Sequence, residues 1–306
     1  MRVSILALLA GVLLPGSAMA QQNVPATADA PPSKVEAPKV EAPASDPIIV
    51  TGRPLPSKDE IRAMTRAITP IDPSGDPLAR FNDPVCLGSI GLDRATLEAI
   101  GDRFAADAEQ AGLKLAGSGC KPNVLVLFVD HVDSEVDTLV KRKWWVFGDR
   151  SPAEIRTIVH ERGPVRAWSN SETRARDGER IGYDRFLQIA SASRIVAPIR
   201  KDTLAAVVLV ERSAAIGKTT YQVADYLAMR ALAGVRPRQT NSKDTILGLF
   251  AADAQEAPAE LTAFDRGYLR GLYAGQANAF ASTTQGQIVR TILKAKDAEV
   301  AGSGTP

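Results

Sequence analysis

The sequence predicts an α+β domain: a small, mostly antiparallel sheet flanked by helices, with a helical C-terminal third. Three observations carry that expectation. Segments with apolar residues at helical spacing alternate with a few short β-branched runs. Two of those runs, 194–199 and 204–211, are separated by a Lys201-Asp202 pair that reads as a hairpin turn. From Thr219 onward the apolar spacing is helical throughout.

Taken in order, residues 59–69 place Ile61, Met64 and Ile68 on one helical face, with Pro70 as the stop. In "DRATLEAIGDRFAADAEQAG", Asp93 is a cap candidate. Leu97, Ile100, Phe104 and Ala108 form the stripe, and Gly112 closes it. Residues 124–129 are apolar throughout and β-branched, which suits a strand covered on both faces. Short helices follow at 134–141 and 151–160, the second opened by Ser151-Pro152 with Glu154 three residues on. "GPVRAWSN" reads as a strand with Trp168 in the core, and Arg174, Arg176 and Arg180 fall in a solvated loop interleaved with acids. Four helices are expected at 221–233, 242–250, 261–273 and 284–296.

Upstream of this body the composition changes. Arg2, an unbroken apolar run over 3–14, a Pro15-Gly16 break and Ala18-Met19-Ala20 make an export signal with cleavage expected before Gln21. The apolar run is too short to span a bilayer, which takes about 20 residues. Residues 21–47, rich in Pro, Ala, Lys and Glu, hold too little apolar surface to offset their ordering entropy and form an extended tether. The expected organisation is a signal over 1–20, this tether, a linker with a short strand and helix over 48–80, one domain over 81–296 and a disordered tail. The expected location is the periplasm or the exterior. An oxidising compartment makes a structural disulfide the expected state of Cys86 and Cys120.

Composition excludes several classes of function. A net charge of +2 with acids and bases nearly balanced argues against a dedicated nucleic-acid or polybasic membrane binder. With 5% aromatic residues, stacking platforms are scarce. Gly217-Lys218-Thr219 follows a strand and opens a helix, but Arg212 stands where a phosphate-binding loop needs glycine, so an ordinary helix start is expected. "DHVDSEVD" lacks the central glycine of a calcium loop, and Asp133 or Ser134 reads better as a cap. The two histidines, His131 and His160, have no zincin spacing, and no G-x-S-x-G elbow is present. No catalytic residue, cofactor-binding residue or metal ligand is expected, and no transmembrane segment after signal cleavage.

"IIVTG", preceded by an acidic residue and Pro on a Pro-rich tail, resembles the TonB box of TonB-dependent outer-membrane transporters. That resemblance implies that Ile48, Ile49, Val50, Thr51 and Gly52 dock on a TonB-like or other envelope protein by strand addition. The alternative is a strand packed on the chain's own body. The rest of the sequence resembles uncharacterised secreted alphaproteobacterial proteins through "PVCLGSIGL", "CKPNVLVLFVD", "GPVRAW", "YQVADYLAMRALAG" and "LTAFDRGYLRGLYAG". Its last portion is also similar to secreted zincin-like proteins, whose zinc-binding histidines have no counterpart in "YQVADYLAMRAL". The resemblance implies a scaffold without metal and without zinc proteolysis. The function expected is a non-enzymatic binding or scaffolding module; the alternative is a hydrolase with no recognisable local motif.

Overall fold

Four strands form one sheet in the order β1-β2-β4-β3. They are β1 (Leu87–Ile90), β2 (Val124–Val129), β3 (Val165–Ala175) and β4 (Ile199–Glu211). The computed structural model describes residues 56–70, 74–182, 193, 196–237, 243–251 and 257–303, with side chains through 298. All of these lie in one compact unit, Pro54–Pro306.

The pairing corrects the expected sheet. β1 runs parallel to β2, β2 runs parallel to β4, and only β3 lies antiparallel, against β4. The sheet is therefore mixed and mostly parallel. Two features of the sequence account for the difference. β1 is a four-residue strand containing Gly88, too short to give an alternating signal, and without it the helix before β2 loses its role as a parallel crossover. The Lys201-Asp202 pair is not a turn: both residues sit inside the continuous 13-residue β4. Asp202 is buried there because Asn82 Nδ2 (2.6 Å) and Arg200 Nη2 (2.9 Å) donate to its carboxylate. A buried acid with partners is compatible with a strand, and one of these partners, Asn82, lies 120 residues away in the sequence. Arg174 also leaves the expected loop. It lies in β3, donates to Glu172 at 2.8 Å and stands 3.5 Å from Asp202.

The helices are α1 (Lys58–Ile68), α2 (Arg94–Gln110), α3 (Val132–Arg142), α4 (Pro152–Val159), a single turn α5 (Arg212–Ala215), α6 (Thr220–Leu232), α7 (Ala263–Tyr273) and α8 (Ala281–Ser303). Local chemistry starts several of them. Asp93 caps α2 through Thr96 N, and capping boxes at Ser57/Glu60, Ser151/Glu154, Thr219/Gln222 and Thr262/Asp265 open α1, α4, α6 and α7. The stretch expected as a helix over 242–250 contains a 3-10 turn, Ile246–Phe250, which Asp265 ties to α7 by accepting from Ile246 N at 2.9 Å.

Strand alternation sends side chains to two cores. Val124, Val126 and Phe128 of β2, with Ala206, Val208 and Val210 of β4, join the larger core under α1, α2, α6, α7 and α8. On the other face Leu127, Val129, Val207, Leu209 and Trp168 meet Val132 and Val136 of α3, Ile158 of α4 and Phe147. The result is three layers, helices on both sides of the sheet. Within the larger core α7 and α8 touch backbone to backbone. A Cβ on Gly267 would stand 2.5 Å from Ile292 Cα, and one on Gly271 would stand 2.5 Å from Ile288 Cα.

Candidate docking surface

Several chemistry-bearing motifs resolve into structural roles. Cys86 and Cys120 form a disulfide with Cα atoms 6.2 Å apart. It links the start of β1 to the loop before β2, and closing such a loop stabilises by roughly 4 kcal/mol on the chain-entropy model. Thr219 caps α6, so Gly217-Lys218-Thr219 is a helix start. In the acidic stretch neither Asp133 nor Ser134 caps α3. His131 holds the cap position without a side-chain bond, while Asp133 accepts from Arg166 and Asp130 pairs with Arg212 at 2.9 Å. His160 follows α4 at its C-terminal cap. Ile48, Ile49, Val50, Thr51 and Gly52 lie outside the described residues, as do the expected export signal and tether.

A strongly perturbed acid, Asp107, is sealed among the helices of the larger core. Asp225 of α6 accepts from Arg103 Nε (2.7 Å), Arg103 Nη2 (3.0 Å) and Leu261 N. Asp107, one turn beyond Arg103 on α2, is 3.6 Å from the same guanidinium. Neither Asp107 oxygen has a hydrogen-bond donor. Burial, then the charge of Asp225 and contact with it, push the Asp107 carboxyl up to about 8. A proton on Asp107 removes the clash, because a protonated carboxyl donates to its neighbour. Arg103 also stacks over the exposed Tyr221 ring, 5.0 Å from its centroid, and closes the cluster from solvent.

Two shallow openings meet at Arg162 and Gly163. One, of about 470 Å³, is bordered by Asp133, Asp137, His160, Glu161, Arg162 and Arg166. The other, of about 170 Å³, is walled by Val165, Tyr226, Arg230, Leu247 and Phe250. Two of the arginines at these openings are committed to neighbouring groups. Arg166 donates to Asp133 and to the carbonyls of Gly163 (2.6 Å) and Val165 (3.0 Å). Arg230 donates to Glu161 (2.7 Å) and to the Tyr226 hydroxyl (2.8 Å). Burial opposes the charge of Arg230, and Tyr226 followed by Glu161 more than offsets it. Among the described residues no group of three His, Cys, Asp or Glu side chains is placed to hold a metal ion.

An exposed aromatic pair lies at the end of α3. Its last turn carries Lys141 and Arg142, and a 3-10 turn, Trp144–Phe147, follows Lys143 directly. Trp144 is 65% exposed and Trp145 61%, although tryptophan is among the most buried residue types on average. Lys141, Arg142 and Lys143 are exposed beside them, and none of the three makes an ion pair among the described residues. The turn itself is firmly held. Phe147 is fully buried and stacks on Trp168 with ring centroids 4.8 Å apart. Val146 O accepts from both Trp168 Nε1 and Asn170 Nδ2 at 3.0 Å. Gly148 ends the turn at φ +63, where a Cβ would fall 2.9 Å from Asn170 Cγ. So "WWVFG" divides its labour: Phe147 and Gly148 clamp the turn to β3, and the two tryptophans stand clear of the surface. The contiguous "KRKWW" is a sequence signal that a whole-chain net charge of +2 averages away.

No family model, curated protein or solved structure matches the chain. No helix among the described residues is long and apolar enough to cross a membrane.

Proposed function

We propose that the chain is an exported binding module that acts by docking its Trp144–Trp145 tip on a component of the cell envelope, without catalysis. The observation that carries this reading is the contrast at the surface. Two large aromatic side chains stand exposed on a rigid turn, whereas Arg166, Arg230 and Glu161 at the openings, and Arg103 and Asp225 in the buried acid cluster, are engaged by partners. A deep pocket with convergent free polar groups would argue for an enzyme; a pre-formed apolar patch argues for docking. The disulfide and the signal-like N-terminus agree with a compartment outside the cytoplasm.

The test is fractionation of a bacterium expressing the full chain with its disulfide formed. The wild-type protein is expected to sediment with the washed envelope, and the Trp144→Ala/Trp145→Ala double variant to appear in the soluble extract. Full envelope association of the double variant would overturn the reading.

A further inference from the structure

We propose that the occupant of this tip is an anionic phospholipid surface; the inference rests on the binding-module reading and names its partner. Residues 141–150 hold four cations and one acid, Asp149, and Arg150 is turned away by its contacts to Glu154 and the Ser169 carbonyl. What remains at the tip is Lys141-Arg142-Lys143 beside two exposed indoles. Cations of this kind are drawn to a negatively charged leaflet, and their pull decays within about a Debye length, ~10 Å. Tryptophan suits the same place, because its ring is apolar while its N–H needs a polar neighbour, a combination met at the headgroup level.

Neither half of the tip fits another occupant as well. A neutral glycan would use the indoles and ignore the cations. A polyanion such as nucleic acid would draw on a long basic track, and here the cations are confined to three consecutive positions. The stiffness of the turn favours a surface too. Phe147 and the doubly accepting Val146 carbonyl fix the backbone before contact, so little ordering entropy is lost on insertion.

The chain offers its own reporter, since Trp144, Trp145 and the buried Trp168 are its three tryptophans. The full chain, disulfide intact, is mixed with vesicles of phosphatidylcholine alone or of phosphatidylcholine with phosphatidylglycerol. Flotation and tryptophan emission report binding, and brominated acyl chains report depth. Binding is expected with phosphatidylglycerol only, with a blue shift and bromine quenching, and should weaken as salt is raised. Replacing Lys141, Arg142 and Lys143 together by Gln should weaken it about a hundredfold. Trp144→Ala/Trp145→Ala should abolish it, while Ile216→Ser, at an exposed apolar residue elsewhere, should change nothing. Unchanged near-ultraviolet circular dichroism, read from Trp168, confirms that each variant is folded. Equal binding to both vesicle types without salt dependence, or binding that survives loss of both tryptophans, overturns the proposal. If envelope association requires the tryptophans yet phosphatidylglycerol vesicles are not bound, the lipid assignment falls and the docking reading stands. If envelope association survives without the tryptophans, the docking reading itself falls.

Discussion

Helices α1, α2, α6, α7 and α8 cover one face of the sheet and bury even acidic side chains of their own: Asp107, Asp225 and Asp265 are essentially without solvent. On the other face α3, α4 and the 3-10 turn enclose a much smaller core, and their outer edge carries the exposed tryptophans and the larger of the two shallow openings. The first face holds the molecule together through polar groups that have few alternatives. The second is attached well enough to be rigid and leaves side chains over for contact. On the docking proposal, stability and recognition are separated by the thickness of one sheet.

The comparison would break first at Asp225. Asp225→Ala removes the acceptor of Arg103 and of Leu261 N, and breaking a buried pair costs about 3–5 kcal/mol. The lower end is expected, because Asp107 stands 3.6 Å from the released guanidinium and can take it over. Denaturant unfolding measures the loss; a loss below about 1 kcal/mol, the ordinary mutational effect, would mean that the cluster is not what secures this face.

A smaller effect is expected where α7 meets α8. In Gly271→Ala the new methyl has no room against Ile288 Cα, and overpacking of this kind typically costs about 1–3 kcal/mol. A stabilised variant, through the better helix propensity of alanine, would show that the helices can move apart freely.

Asp107→Asn sharpens the comparison by pH. The Asp107 carboxyl is raised to about 8 in the folded protein, chiefly by burial and then by Asp225. The folded chain therefore keeps a proton that the unfolded chain has already lost above the ordinary carboxylate range. The stability contributed is complete in acid, declines as pH rises towards about 8 and is gone above it. Asn keeps a donor for Asp225 without a charge, so its pH–stability curve should be flatter between about 4 and 8 than that of the wild type. Identical slopes would remove Asp107 from the account.

The smallest effect belongs to the second face. Trp144→Ala/Trp145→Ala should alter the thermal midpoint hardly at all, by the equivalent of about 0.5 kcal/mol or less, as for other exposed sites. A large drop would mean that the pair serves the fold.

What the sequence disclosed follows the same division. Signals confined to a few neighbouring residues were legible: the Asp93 cap, the Ser151-Pro152-Glu154 start, the stripe of α2, the burial of Trp168 and the cysteine pair. The direction of the strands was not, since β2 pairs with β4 across an interval of the chain that no window spans. Asp202 misled for the same reason, its partners Asn82 and Arg174 being distant in sequence. The proposed docking tip was in plain view as "KRKWW" but hidden by averaging. Neither opening at Arg162 had any local signature, because one is bordered by α3, the end of α4 and β3, and the other by β3, α6 and the turn over Ile246–Phe250.

The glycine contacts between α7 and α8 also bear on how the chain folds. Gly267 faces Ile292 and Gly271 faces Ile288, so each step along one helix is matched by an equal step back along the other. That is an antiparallel helical hairpin whose halves adjoin in sequence, joined by residues 274–280. Closing it costs little loop entropy and proceeds on a microsecond scale. The parallel ladder between Val124 and Ala206 must instead wait for the whole intervening segment to arrive. Until it does, β2 presents an unpaired apolar edge, the kind of surface through which partly folded chains associate.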